Sequence, residues 1–174
     1  MNSPEKNSEH PHSEFQDNLN LLRQTYFFSG LPLETLKVFA YLCTRQRFDP
    51  GERLFSQEEE DGQAFYFIEG QARLEREDNG NARKIRSYKK GDFVGGLTLL
   101  SKLRRLYSLT ATEPTVCLVL TREKFSKALQ QFPEIMPRIF KAVANGIDRW
   151  EDRFLNDVAD QCGGCLEKLG VSLI

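Results

Sequence analysis

Apolar positions recur along the chain with three successive rhythms. From residue 19 to residue 42 the period is helical: Leu19, Leu22, Tyr26 and Phe27, a break at Gly30 and Pro32, then Leu33, Leu36, Phe39, Ala40 and Leu42. Pro32 suits the first turn of the second helix, where a missing N–H costs nothing. Residues 44–121 change to short alternating runs separated by turn residues at roughly 8–12-residue spacing, the mark of an all-β barrel or sandwich. The alternation predicts strands over residues 45–48, 52–56, 64–69, 72–77, 83–88 and 115–120. Asp78-Asn79-Gly80-Asn81 predicts a hairpin, because Asn-Gly readily takes the positive φ of a type I′ turn. Beyond residue 122 the helical period returns, first in Phe125, Ala128 and Leu129. A long stripe follows, formed by Ile135, Ile139, Val143, Ile147, Trp150, Phe154 and Val158, whose gaps of 4, 4, 4, 3, 4 and 4 keep all seven on one face. The like-charged pairs Asp148–Asp152 and Arg149–Arg153 lend this helix no local support, so packing of the stripe must hold it.

These rhythms divide the chain. Residues 1–18 are polar apart from Phe15 and read as a disordered tail, which cannot bury enough surface to offset the entropy of ordering. Residues 19–132 form a β-roll with N-terminal helices, residues 133–160 a long helix, and residues 161–174 a short glycine-broken tail. Hydrophobic residues make up 40% of the 174 and charged residues 28%, a balance that fits a soluble globular protein. Lys and Arg number 24 against 25 Asp and Glu, a net charge of −1 that argues against a non-specific nucleic-acid coat. The longest interior apolar run, residues 116–120, is far short of a membrane span, and the N-terminus has no signal-like apolar stretch, so a cytoplasmic location is expected. Four cysteines, Cys43, Cys117, Cys162 and Cys165, are no disulfide scaffold.

The turn residues narrow the fold. Phe48-Asp49-Pro50-Gly51-Glu52-Arg53-Leu54, the stretch from Ala64 to Leu74 around Gly70, and Lys90-Gly91-Asp92-Phe93-Val94-Gly95 resemble successive segments of the cyclic-nucleotide-binding domain family. That family includes the catabolite gene activator and the regulatory subunits of the cAMP-dependent kinase. The resemblance covers roughly residues 20–158 and implies a mainly β fold with flanking helices: a double-stranded β-helix, or jelly roll, with a long C-terminal amphipathic helix.

It also implies a place for a ligand. The family's phosphate cassette starts a short helix at Gly-Glu and later supplies an Arg that pairs with the cyclic phosphate, while the Glu accepts the ribose 2′-OH. Here the segment runs from Gly95 to Leu109, and the implied ligand-binding residues are Gly95, Gly96, Leu97, Arg105, Leu106 and Ser108. Arg105 falls on the family Arg without a gap and Ser108 on a Thr position. Gly96 stands where the family has Glu, Tyr107 replaces a small Ala, Leu106 replaces a residue that helps choose the base, and Glu58 replaces a glycine. An unpaired ribose hydroxyl costs about 1–3 kcal/mol, so weak binding is expected and Gly96→Glu is expected to tighten it. Arg105 has two readings: phosphate anchor, or partner of a carboxylate.

Two functions follow from the resemblance. The first is a regulatory module that senses a cyclic nucleotide of the cAMP or cGMP class and signals through its C-terminal helix to a protein partner. The second is a ligand-independent dimerisation or docking module of the same fold. A homodimer through the Ile135–Val158 stripe is expected in either case. Direct DNA binding is not, because only 14 residues follow Asp160, too few for a helix-turn-helix domain. Neither is catalysis: no nucleophile–base pair is apparent, and both histidines, His10 and His12, lie in the tail, leaving the roll without imidazole for a metal. No metal site, no cofactor beyond the cyclic nucleotide and no membrane association are expected. Cys162-Gly163-Gly164-Cys165 reads as exposed thiols rather than a redox pair or half of a zinc site.

Overall fold

A computed structural model of the chain describes residues 11–159. Its strands are β1 (Thr44–Phe48), β2 (Arg53–Phe55), β3 (Gln63–Glu69), β4 (Gln71–Asp78), β5 (Asn81–Lys89), β6 (Phe93–Val94), β7 (Ser108–Ala111) and β8 (Thr115–Thr121). They form two antiparallel four-stranded sheets, one in the order β1-β8-β3-β6 and the other β2-β7-β4-β5. The helices are α1 (Pro11–Gln24), α2 (Leu33–Leu42), α3 (Gly96–Leu100), α4 (Arg122–Gln131) and, after a 3-10 turn at Pro133–Ile135, α5 (Met136–Ala159). This is the jelly roll with flanking helices that the turn residues imply.

The two sheets differ in what covers them, and their sequences show it. In the two central strands of the first sheet, β3 and β8, both faces are buried. Phe65 and Phe67 of β3 and Cys117 and Val119 of β8 point between the sheets, while Ala64, Tyr66, Leu118 and Leu120 point toward the helices. Strands covered on both sides read as nearly unbroken apolar runs, which is how β8 reads. In the second sheet one face meets water, so β4 alternates exposed and buried residues through Ala72 and Leu74. The hairpin joining β4 and β5 pairs Asp78 with Asn81, and both residues between them take positive φ, 53° at Asn79 and 78° at Gly80, as a type I′ turn requires. On the helical side Phe27, Phe28, Phe39, Phe93 and Phe125 make one aromatic cluster, with Phe39 stacked on Phe125 at 5.4 Å between centroids.

Two expectations need correction. Residues 11–18 belong to α1 rather than to a disordered tail; residues 1–10 lie outside the described part. The helix is tied down by Leu19 and Leu22 in the core, by a half-buried Phe15 against it, and by Asn18, whose side-chain oxygen accepts from Arg45 Nε at 3.0 Å. The stripe on α5 is also divided. Ile135 and Ile139 are fully buried in the chain's own core and Val143 packs against it, so the first two are not available to a second copy. Ile147 is exposed; the side chains of Trp150, Phe154 and Val158 lie outside the described part, as do Cys162 and Cys165.

Candidate functional site

The segment between β6 and β7 carries the cassette positions, and its shape begins at Gly95. This residue caps α3 with φ 89°. A Cβ here would stand 2.5 Å from the Gln63 carbonyl oxygen and 3.1 Å from the Ala64 Cα, so backbone conformation and space both demand glycine. The Thr98 hydroxyl lies 2.9 Å from the Gln63 carbonyl and 2.7 Å from the Gly95 carbonyl, which fixes α3 to the start of β3.

Arg105 closes the loop after α3. Its guanidinium lies against Gly95, where an added Cβ would come within 2.9 Å of Nη1. The side chain is 6% exposed and pairs with Asp61, itself 4% exposed. The pairing is bidentate: Nε donates to Oδ1 at 2.9 Å and Nη2 to Oδ2 at 2.8 Å. Nη2 also donates to the Gln63 carbonyl, and the guanidinium lies 3.9 Å from the centre of the Phe55 ring. Of the two readings open to Arg105, the carboxylate partner is present in the structure, and it comes from a residue that the sequence did not single out. Asp61 ends a run of four acids, Glu58-Glu59-Glu60-Asp61, that looks like a solvated loop. In the fold Glu59 accepts the Ser56 N–H at 2.8 Å and Glu60 pairs with Arg122 at 2.7 Å, which leaves Asp61 facing inward. Backbone bonds join the same two segments: Glu58 N–H donates to the Arg105 carbonyl and Arg105 N–H to the Glu59 carbonyl, each at 2.8 Å. Glu58, in the left-handed region that favours glycine, takes φ 67°.

The other cassette positions fall in different surroundings. Gly96 is buried, and an added Cβ would meet Phe27 Cδ2 and Phe93 Cε1, each at 3.0 Å. A carboxylate there would need both rings to move, so this ring pair stands against the tighter binding expected of Gly96→Glu. Leu97 and Leu106 are exposed. Ser108 opens β7, and its hydroxyl accepts the Gln57 N–H at 2.9 Å. Tyr107 packs with Tyr88 and Val94 on the cluster between the sheets. That space is filled with rings: Phe55 and Phe65 lie 5.9 Å apart, Phe48 and Phe65 6.3 Å, and Phe67 stacks on Tyr88 at 5.9 Å. The structure thus brings Gly95, Arg105 and Asp61 together and leaves Leu97 and Leu106 facing solvent.

A family model described as the cyclic nucleotide-binding domain matches residues 45–132. The chain belongs to this family. A regulatory subunit of cAMP-dependent protein kinase from Hypocrea atroviridis is 30% identical over 135 residues, which are 76% of this chain and 28% of that protein. The chain thus spans only about a quarter of that relative. Among solved structures, the N-terminal domain of a transcriptional regulator from Streptomyces coelicolor matches with a TM-score of 0.68 at 20% identity, over 76% of this chain and 93% of that one. A regulatory subunit of a cAMP-independent protein kinase A from Trypanosoma brucei matches with a TM-score of 0.58 at 25% identity, over 73% of this chain and 47% of that one. As a cyclic-nucleotide-binding-type domain, the chain carries the family's β-roll. No helix among the described residues is long and apolar enough to cross a membrane.

Proposed function

We propose that the protein is a non-catalytic regulatory module in which a cyclic nucleotide of the cAMP or cGMP class competes with Asp61 for Arg105. The observation that carries this reading is the placement of the Arg105 guanidinium against Gly95 at the start of α3, with a carboxylate already bound to it. A carboxylate and a phosphate present similar pairs of oxygens to an arginine fork. Asp61 therefore acts as a built-in competitor for the ligand phosphate, and the missing ribose acceptor at Gly96 weakens binding further. Exchange of Asp61 for a phosphate would free the 56–61 loop, and α3 would pass the change to α5, which packs on the same core. The partner of α5 would be a protein, or a second copy meeting α5 at the exposed Ile147, in a cytoplasmic setting.

A ligand-independent docking module is the second reading. Two observations favour it: the rings of Phe27 and Phe93 occupy the space beside Gly96, and Phe48, Phe55, Phe65 and Phe67 fill the roll.

Calorimetric titration of the full chain with cAMP and cGMP separates them. The first reading expects weak binding by wild type, at least tenfold tighter binding by Asp61→Asn, and none by Arg105→Met. Absence of binding by both wild type and Asp61→Asn at millimolar nucleotide would sink it and leave the docking module.

A further inference from the structure

A second cleft lies outside the roll, between the turn that follows α1 and the first half of α5. Its volume is about 470 Å³, within the range of small-molecule sites. Tyr26 and Gly30 line one wall; Arg138, Lys141, Asn145 and Arg149 line the other. The gaps between the last four are 3, 4 and 4, so they form one stripe along α5. Among the described residues no carboxylate lines the cleft.

The two walls are already tied. Arg138 Nη1 donates to the Gly30 carbonyl at 2.9 Å, and the Arg149 guanidinium lies 5.4 Å from the centre of the Tyr26 ring. The Gly30 carbonyl is uncharged, so this bond positions Arg138 without neutralising it. Lys141 makes no ion pair among the described residues. Arg138 and Lys141 are one turn apart, with Cβ atoms about 5–6 Å from each other in a helix. Further along α5 the exposed charges at residues 148 and 152 are Asp148 and Asp152. Among the described residues of α5 the basic stripe is thus short and bordered by acidic positions, which suits a compact polyanion better than a polynucleotide or a long acidic peptide.

The geometry points to this cleft as a binding site for a small diphosphate-bearing ligand. One phosphate group lies between Arg138 and Lys141, Asn145 donates from the next turn, and Tyr26 offers a ring edge to an organic moiety. A ligand there bridges α5 to the turn at Tyr26–Gly30 and so biases the position of α5 without entering the roll.

The test is calorimetric titration of the full chain with inorganic pyrophosphate at low salt, with orthophosphate as the comparison. Wild type binds pyrophosphate saturably and at least tenfold more tightly than orthophosphate. Lys141→Glu, an exposed position, weakens pyrophosphate binding at least tenfold. Lys90→Glu, which makes the same change in net charge on the exposed turn after β5, alters it less than twofold. Circular dichroism shows whether both variants keep the wild-type fold. Four results overturn the proposal: no saturable binding by wild type, equal affinity for the two anions, equal weakening by the two variants, or saturable binding of an acidic peptide where pyrophosphate has no effect.

Discussion

Asp61→Ala isolates the buried ion pair. The substitution removes both carboxylate oxygens from a guanidinium that is 6% exposed and cannot turn to water. Breaking one side of such a pair typically costs about 3–5 kcal/mol, because the surviving charge stays buried without compensation. Arg105 keeps its bond to the Gln63 carbonyl and its place over the Phe55 ring, which puts the expected loss near the lower end, about 3 kcal/mol. In a chain of this size each kcal/mol moves Tm by about 2–4 °C, so the expected fall is about 6–12 °C. The partner substitution makes the argument sharper. Asp61→Leu combined with Arg105→Met removes both charges and fills the space with apolar groups. The Gln63 carbonyl then still has the Thr98 hydroxyl at 2.9 Å. The double variant should recover most of the loss. Urea denaturation followed by far-ultraviolet circular dichroism, analysed as a double-mutant cycle with the two single variants, gives the coupling directly. A loss below about 1 kcal/mol for Asp61→Ala, or a double variant no more stable than Asp61→Ala, would refute the assignment of this pair as a buried, mutually compensating charge couple.

Glu58→Gly should stabilise the protein slightly, by less than about 1 kcal/mol. Relief of the left-handed backbone at φ 67° outweighs the extra freedom of an unfolded glycine and the loss of an exposed 3.7 Å contact with Arg104; a lower Tm for the variant would contradict this. Burial pushes the thiols of Cys43 and Cys117 up to about 12, from an ordinary value of 9.0. The unfolded chain therefore releases these two protons first as pH rises. The stability they contribute is complete below pH 9 and falls between pH 9 and 12, by at most about 1.4 kcal/mol per pH unit for each thiol. Urea melts from pH 8 to 10.5 should show a shallower decline in Cys43→Ala/Cys117→Ala than in wild type, and identical slopes would refute the burial argument.

The roll was readable because its strands carry a period of two and its turns carry glycine at fixed places. Six strands follow from short alternating or apolar runs set between turn residues, within a residue or two of their observed ends. β6 has two residues, too few to show a period, and β7 buries Leu109 and Ala111 between small polar neighbours, a weak alternation. α1 was legible only from residue 19 because its first two turns depend on distant partners: Asn18 on Arg45, and Phe15 on the core. The site divides in the same way. Spacing from a recognisable helix start located Arg105, but Asp61 lies 44 residues earlier in an acidic run, and nothing local tells the buried carboxylate from its three neighbours. The halves of the α5 stripe likewise look alike in sequence. Only the fold shows that Ile135 and Ile139 serve the chain itself.

The paired amide bonds between Glu58, Glu59 and Arg105 span the same junction as the ion pair. Since both sets join one short loop to one residue, the loop cannot part from the cassette by steps, and two amide contacts and a charge pair must give way in a single event. On the proposed reading such a junction would behave as a latch rather than a hinge, with a closed and an open state and little between. Exchange of Asp61 for an anion at Arg105 would then be timed by the latch. The observed association rate would level off at the opening rate as ligand concentration rises, whatever the ligand's own affinity. A chain of this kind would respond slowly and completely, ignoring brief pulses of its signal.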